Sequence, residues 1–319
     1  MSHGPSYERV TAPQNAEDDE LTVANAIALT EPNPNPACWG YCFCFGVGSV
    51  RQLLTAGGER TRWRPGSARC QCPRVPDDHF GQDVAARYDE STSAMFDAGV
   101  LGRTVDVLTE LAADGAALEF AVGTGRVALP LAARGVPVSG LELSTAMAAQ
   151  LRAKDGAHHI EGTIGDMATT RVDGHFRLVY LVFNTIGNLT TQDQQVACFT
   201  NAAAHLEPGG CFVIEVGVPD LRRLPPGEDA RVFSHAPGYV GYDRYTDLVA
   251  QQAMSHHFVA DGSGAHEFRT PFRYVWPSEL DLMATLAGMT ARHRWADWDR
   301  SPFTDESTSH VSVWTKAQP

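Results

Sequence analysis

The sequence predicts an α/β fold with a mostly parallel sheet and helices on both faces. Short apolar runs alternate with helical segments from about residue 116 to residue 216, and this alternation is typical of parallel sheets. A Gly-Thr-Gly turn at 123–125 separates the first apolar run from the helix that follows it. The chain ends in a helix and two closely spaced strands, which predicts an antiparallel hairpin at the sheet edge and hence an antiparallel last strand.

Two helices are predicted before the first strand, at residues 81–93 and 95–113, because apolar side chains recur there at helical spacing. An Asp-Gly pair ends the second helix. The strand and helix units then follow in order: strand 116–122, helix 126–135, strand 136–143, helix 145–154 with Ser144 as its N-cap, strand 158–164, strand 176–183, helix 191–206, a Pro-Gly-Gly turn at 208–210 and strand 211–216.

The alternation stops at residues 219–275. This stretch contains extended segments with Gly and Pro turns, and it predicts an inserted antiparallel lid that contacts substrate. A helix at 278–287 and strands at 290–298 and 309–315 complete the fold.

Composition and charge exclude several classes of protein. The chain has 319 residues, of which 43% are hydrophobic and 20% charged, enough for one large domain or two small ones. Lys and Arg number 25 against 38 Asp and Glu, a formal charge of −13, so we expect no nucleic-acid partner. No apolar run is long enough for a membrane span, and the first 20 residues lack a secretory pattern. We therefore expect no membrane association and a cytoplasmic location.

Residues 1–78 differ from the rest of the chain, because acidic, Pro-Asn, apolar and Arg/Gly-rich stretches follow one another there without a period. We interpret them as a low-order N-terminal extension ahead of a domain at 79–319. A start site placed too early is one explanation of such an extension. Five of the seven cysteines lie in the extension: Cys38, Cys42, Cys44, Cys70 and Cys72. Their spacing suggests zinc but fits the usual C-x2-4-C ligand pairs poorly, so we expect no metal site.

The glycine-rich turn at 123–125 is the candidate cofactor-binding site, and by itself it is compatible with either of two cofactors. Gly123, Gly125 and Ala128 satisfy G-x-G-x-x-A, and Glu142 follows Gly123 by 19 residues, as in dinucleotide-binding proteins, so an NAD(P)-dependent oxidoreductase is one interpretation. Glu119 inside the preceding strand instead suits a ligand with an ammonium group. Asp166 in the Gly-Asp turn after the third strand likewise suits an adenine amino group.

Residues 79–319 resemble the class I S-adenosylmethionine-dependent methyltransferases. The resemblance rests on LEFAVGTGRVALPLAARG, SGLELSTAM, IGDM, LVYLVFNTIGNL and AAAHLEPGGCFVIEV. It implies a Rossmann-like fold, S-adenosyl-L-methionine as cofactor, and methyl transfer to a small-molecule acceptor, an amine or a hydroxyl. Within the family the stretch is similar to bacterial small-molecule N-methyltransferases, including those that dimethylate amino sugars of antibiotics.

The resemblance also implies a role for each matching residue. It assigns Glu119, Gly123 and Gly125 to the methionine part of the cofactor, Glu142 to both ribose hydroxyls, Leu143 and Met147 to the side of the adenine, Asp166 and Met167 to the adenine edge, Phe183 and Asn184 to the sulfonium end, and Tyr88 to closure over the cofactor. Two positions depart from the family pattern. Ala121 replaces the first glycine, which puts close approach there in doubt, and Arg126 replaces the third, a change we expect to be tolerated.

Each acidic residue also has a purely structural interpretation. Glu119 is then a strand residue paired with a buried arginine, Glu142 a solvated strand end, and Asp166 a turn residue.

An amine acceptor must lose its proton before it attacks, which calls for a base or a pocket of low dielectric constant. The candidates are Tyr242, Asp243 and His256 in the insertion, with Asn184 as a polar orienter at a strand end. A third interpretation is an inactive cofactor-binding protein whose cysteine-rich segment binds a partner. The sequence leaves the acceptor and the oligomeric state, including a homodimer, open.

Overall fold

The structure is a computed structural model that describes residues 78–91, 98–261 and 264–318. The chain divides into two units, Met1–Arg69 and Cys70–Pro319, and every described residue belongs to the second. The predicted N-terminal extension, except for Asp78, and its five cysteines lie outside the described residues.

The described elements follow the predicted order. The helices are α1 (Gln82–Ser91), α2 (Ala98–Ala112), α3 (Ala128–Ala133), α4 (Thr145–Arg152), α5 (Gln192–His205) and α6 (Pro277–Leu286). The strands are β1 (Ala117–Phe120), β2 (Val138–Glu142), β3 (Ile160–Ile164), β4 (Phe176–Leu181), β5 (Leu206–Gly217), β6 (Ala230–Ala236), β7 (Tyr239–Asp247), β8 (Gln252–Asp261), β9 (Gly264–Arg273), β10 (Met289–Trp295) and β11 (Ser309–Lys316).

A seven-stranded sheet in the order β10-β11-β5-β4-β1-β2-β3 forms the centre. Strands β3, β2, β1, β4 and β5 run parallel to one another, whereas β11 is antiparallel to both β5 and β10. One face packs against buried side chains of α2, α3 and α4, and the other against those of α5 and α6. The predicted parallel sheet with helices on both faces and an antiparallel last strand is confirmed.

Local sequence signals explain where several helices begin and end. The Ser144 hydroxyl accepts a hydrogen bond from the Met147 N–H at 3.3 Å, as predicted for the N-cap of α4. Thr191 and Gln194 form a capping box at the start of α5. Gly288, with φ +74°, follows the end of α6.

Several predicted boundaries differ from the structure, and two of the differences have a clear cause. The first strand ends at Phe120 rather than at residue 122, because Ala121 adopts a left-handed conformation that turns the chain. The Pro-Gly-Gly turn predicted at 208–210 lies inside β5, where the register against β4 shifts between Leu206 and Cys211. Gly209, with φ +76°, absorbs the backbone deviation there.

Strands β6 to β9 form a separate antiparallel sheet within the predicted insertion. The end of β9 is fixed to the main body by Arg273, which is only 3% exposed. Its guanidinium donates to the side-chain oxygens of Gln195 in α5, at 2.5 Å, and Glu279 in α6, at 2.6 Å. Among the helices that the structure describes, none is long and apolar enough to cross a membrane.

Candidate functional site

The sheet order places the site at the carboxyl ends of β1 and β4. The chain runs from β1 through β2 to β3 on one side and then returns to β4 on the other, so that β1 and β4 are neighbours. Ligands of open α/β sheets bind at such a reversal, because the loops leaving the two strands diverge there.

The turn after β1 is built from three left-handed residues. Ala121, Gly123 and Gly125 have φ values of +53°, +58° and +83°. A Cβ at Gly125 would lie 2.4 Å from Leu151 Cδ1, so only glycine fits there without a shift. Ala121 adopts the conformation for which the family pattern uses glycine, and its methyl group does not prevent the turn.

Glu142, at the end of β2, connects this turn to the start of α4. One carboxylate oxygen accepts a hydrogen bond from the Gly123 N–H at 2.7 Å, and the other accepts from the Ser144 N–H at 2.9 Å. Burial raises the pKa of Glu142 above its ordinary value, and the two N–H groups oppose that rise. The side chain is 7% exposed, so the alternative of a solvated strand end is wrong.

Two predicted neighbours of the adenine flank Glu142 in the sequence. Met147 is buried, and its Cε lies 3.4 Å from the position that a Cβ at Gly123 would take. Leu143 is half-buried between β2 and α4. Met147 therefore packs directly under the glycine-rich turn.

Glu119 in β1 is a buried acid at the floor of the site, with 3% of its surface exposed. Its Oε2 accepts a hydrogen bond from the Tyr180 hydroxyl of β4 at 2.9 Å. Burial raises the pKa of Glu119 to about 8, although Tyr180 and the Arg126 charge oppose the rise. Glu119 is therefore mostly protonated at neutral pH until a cation binds beside it.

Asp166 and Met167 lie after β3, at the far side of the turn. One carboxylate oxygen of Asp166 accepts from the Ala168 N–H at 2.8 Å, and Thr170 Oγ1 accepts from the Asp166 N–H at 3.0 Å. Met167 is buried. Asp166 thus shapes its own turn, as the structural interpretation expects, while its contact with an adenine stays a prediction.

Helix α1 covers the turn and brings Tyr88 to it. Thr124 Oγ1 in the turn donates to Asp89 Oδ1 at 2.5 Å, and Ser144 Oγ donates to the Phe80 carbonyl at 2.7 Å. The Tyr88 ring packs edge-on against Phe80, with 6.1 Å between the centroids. Burial raises the pKa of Tyr88, which the nearby Arg126 charge opposes, so the hydroxyl stays protonated at neutral pH.

Phe183 and Asn184 follow β4 as two successive left-handed residues, with φ values of +59° and +58°. Such conformations are costly for residues other than glycine and cluster at functional sites. Both side chains are exposed at the mouth of the site. The Asn184 Oδ1 accepts from the Gly217 N–H at 2.5 Å, and the Asn184 N–H donates to the Glu215 carbonyl at 3.1 Å. The end of β5 therefore holds this turn in place.

The sequence interpretation missed two charged residues at this edge. The Arg126 guanidinium lies over the Phe183 ring, 5.8 Å from its centroid, and its charge opposes the rise in the pKa values of Glu119 and Glu215. It is therefore part of the site rather than only a tolerated change. Glu215 accepts a hydrogen bond from the Phe183 N–H at 3.1 Å. Its signal in the sequence was a lone acid at the end of the apolar run CFVIEV, the same signal that singled out Glu119.

Comparison with known proteins decides the family. The methyltransferase domain family matches residues 117–210. The CcbJ methyltransferase from Streptomyces caelestis is 34% identical, and the match covers 76% of this chain and 100% of that chain with a TM-score of 0.67. The chain belongs to the class I S-adenosylmethionine-dependent methyltransferases.

Two further relatives are named as methyltransferases of amino sugars. The dTDP-3-amino-3,4,6-trideoxy-alpha-D-glucopyranose N,N-dimethyltransferase from Streptomyces venezuelae is 35% identical over 100 residues. That match covers 31% of this chain but only 40% of the curated relative's own length. CalS10, an amino pentose methyltransferase from Micromonospora echinaspora, is 23% identical and shares the fold, with a TM-score of 0.53 over 76% of this chain and 99% of its own.

The cofactor of this methyltransferase is S-adenosylmethionine, not the nicotinamide cofactor that the turn alone left open. The site residues fit this group. Glu142 is a buried carboxylate whose two oxygens each retain acceptor capacity for a hydroxyl, and Glu119 is a buried acid that a ligand ammonium would ionise. The left-handed turn between them allows close approach of a ligand to the backbone.

The predicted catalytic residues of the insertion lie within the antiparallel sheet. The Tyr242 ring stacks on His256 with 4.5 Å between centroids, and His256 Nδ1 lies 3.1 Å from Glu267 Oε1. Asp243 accepts a hydrogen bond from the Ser255 hydroxyl at 2.5 Å. Across the described residues, no hydrogen bond or ring contact joins Tyr242 or His256 to Asn184, so the structure does not bring these three candidates together. Their catalytic roles stay predictions.

Proposed function

We propose that this methyltransferase transfers a methyl group from S-adenosylmethionine to the amino group of a small amino-sugar acceptor in the cytoplasm. The observation that carries the proposal is the 35% identity over 100 residues to an amino-sugar N,N-dimethyltransferase. The match to the CcbJ methyltransferase, over 76% of this chain and 100% of that chain, supports methyl transfer. An O-methyltransferase acting on a sugar hydroxyl is the alternative that the acceptor assay must separate.

The cofactor supplies a methyl group that its sulfonium makes electrophilic, so the protein mainly has to bind, orient and exclude water. Glu142 and Glu119 would hold the ribose and ammonium groups, and Tyr88 on α1 would cover them. Phe183 and Asn184, held in their strained turn by β5, would line the side from which the acceptor approaches. None of these roles needs a covalent bond to the enzyme.

The first experiment titrates the purified chain with S-adenosylhomocysteine by calorimetry, with NADH as the parallel ligand. We expect binding of the former alone. Turnover is then measured by mass spectrometry with dTDP-3-amino-3,4,6-trideoxy-α-D-glucopyranose, glucosamine and dTDP-glucose as acceptors. Methylated amines with unchanged dTDP-glucose would support the proposal. Methylation of a hydroxyl alone would contradict it, and cofactor binding without any turnover would support an inactive cofactor-binding protein.

A variant pair tests the cofactor contacts. Glu142→Ala should weaken binding of S-adenosylhomocysteine by about 1–3 kcal/mol, because hydrogen bonds to a charged group are lost. Glu161→Gln, at an exposed position on the neighbouring strand β3, is the matched control and should bind normally. An affinity of Glu142→Ala equal to that of the control would refute the assigned role of Glu142.

A further inference from the structure

Glu215 is an acid at the end of β5, facing the same side of the sheet as the buried acid of the cofactor site. The register pairs Glu119 with Tyr180, and Tyr180 with Val213, so these three side chains share one face. Glu215 lies two residues beyond Val213 and therefore faces the same side, one step nearer the carboxyl edge. Strand spacing and rise place the Cα atoms of Glu119 and Glu215 about 12 Å apart.

The order of the strands separates the cofactor side of the site from an acceptor side. Asp166 follows the end of β3, Glu142 is the last residue of β2 and Glu119 lies inside β1, in that spatial order, so the proposed cofactor residues occupy one half of the sheet edge. The next strands along the same edge are β4 and β5. Phe183 and Glu215, at their ends, therefore border the space that lies beyond the cofactor's methionine end.

Glu215 is partly exposed, so a ligand in the cleft can reach it, yet most of its carboxyl group is withdrawn from water. Burial raises its pKa, and hydrogen bonds from the Phe183 N–H and the Trp298 side chain oppose the rise. The charged groups that act on it are Arg126, which favours the ionised form, and Asp297, which disfavours it. A carboxyl group in such surroundings does not stabilise an apolar core, whereas its ionised form would stabilise a bound cationic ligand.

We propose that Glu215 is the carboxylate that binds the acceptor's ammonium group and takes its proton before methyl transfer. This inference rests on the proposed amine acceptor and names the base that the sequence did not identify. The proton passes from the ammonium to a Glu215 oxygen and then to solvent. The freed nitrogen lone pair forms the bond to the methyl carbon, while the carbon–sulfur bond breaks and its electron pair stays on sulfur.

The Phe183 N–H gives Glu215 a structural contact as well, so the test must separate the two roles. Glu215→Gln keeps an oxygen that accepts from the Phe183 N–H but cannot take a proton. Glu215→Asp keeps the base at a shorter reach. Glu207→Gln, at the opposite end of the same strand, is the matched control for loss of one negative charge.

The assay uses dTDP-3-amino-3,4,6-trideoxy-α-D-glucopyranose, or glucosamine if only that amine is methylated by the wild type. We expect kcat/KM at pH 7 to fall at least 30-fold in Glu215→Gln and less in Glu215→Asp, while S-adenosylhomocysteine affinity stays within threefold. The wild-type kcat/KM should decrease as the pH falls through the raised pKa of Glu215, and Glu215→Gln should lack this inflection and show only the titration of the acceptor's own amino group.

Two results would overturn the role of Glu215 while leaving the proposed function intact. The first is a Glu215→Gln variant whose kcat/KM and pH dependence equal those of the wild type. The second is a Glu215→Gln variant that loses S-adenosylhomocysteine binding together with turnover, which would show a structural role. If the wild type methylates neither amine, the proposed function itself fails, and this is seen before any variant is compared.

Discussion

The buried carboxyl group of Glu119 makes the stability of the ligand-free protein depend on pH, and a single substitution can measure this dependence. The ordinary glutamate pKa of 4.5 applies to the unfolded chain, whereas burial raises the pKa in the folded protein to about 8. The raised pKa means that Glu119 favours folding fully below pH 4.5. This contribution is lost progressively as the pH rises to about 8.

The size of the effect follows from the two pKa values. At pH 7 the unfolded chain has released a proton that the folded protein retains, and the interval from 4.5 to 7 corresponds to about 3 kcal/mol at 1.36 kcal/mol per pH unit. At pH 5 the same reasoning gives about 1 kcal/mol. Glu119→Gln removes this titration and keeps an acceptor for the Tyr180 hydroxyl. Relative to the wild type it should therefore gain about 2 kcal/mol of stability between pH 5 and pH 7.

Urea unfolding of both proteins at pH 5, 6, 7 and 8 without cofactor is the assay. The Gln amide places an N–H group near the backbone N–H of Ala128, which bonds to Glu119 in the wild type, at a cost of about 1–3 kcal/mol that does not vary with pH. The test is therefore how the difference in unfolding free energy between the two proteins changes with pH, and not the size of that difference at any one pH. Parallel curves for the two proteins would refute the assignment of a raised pKa to Glu119.

Two further substitutions test the turn and the anchor of the insertion. Ala121→Gly should raise the free energy of unfolding by about 1 kcal/mol, because it relieves a left-handed alanine, whereas Gly125→Ala should lower it, since its Cβ would meet Leu151. Urea midpoints that fall in the first variant would contradict this. Arg273→Met should cost about 3–5 kcal/mol, because it leaves the Glu279 carboxylate without its buried partner, and an unchanged thermal midpoint would show that the pair is not needed.

The sequence alone determined the order and type of most elements, because these depend on local signals. Ser144 begins α4 through its own hydroxyl, and Gly123 and Gly125 turn the chain through their own backbone freedom. Local pattern and spacing singled out Glu119, inside the strand before the turn, and Glu142, 19 residues after Gly123. The local signals failed to place residues 208–210 inside a strand, because the pairing of Leu206 with β4 and of Cys211 with both β4 and β11 extends β5 across them.

Tertiary structure decided which side chains meet. Glu215 reaches the Phe183 N–H because β4 and β5 pair in one particular register, and no local pattern specifies that register. Arg126 occupies the site because the turn after β1 points it across the sheet edge to Phe183. Contacts between residues distant in the chain depend on how whole elements pack, so the sequence identified Glu119 and Glu142, and the fold added the contacts of Glu215 and Arg126 with Phe183.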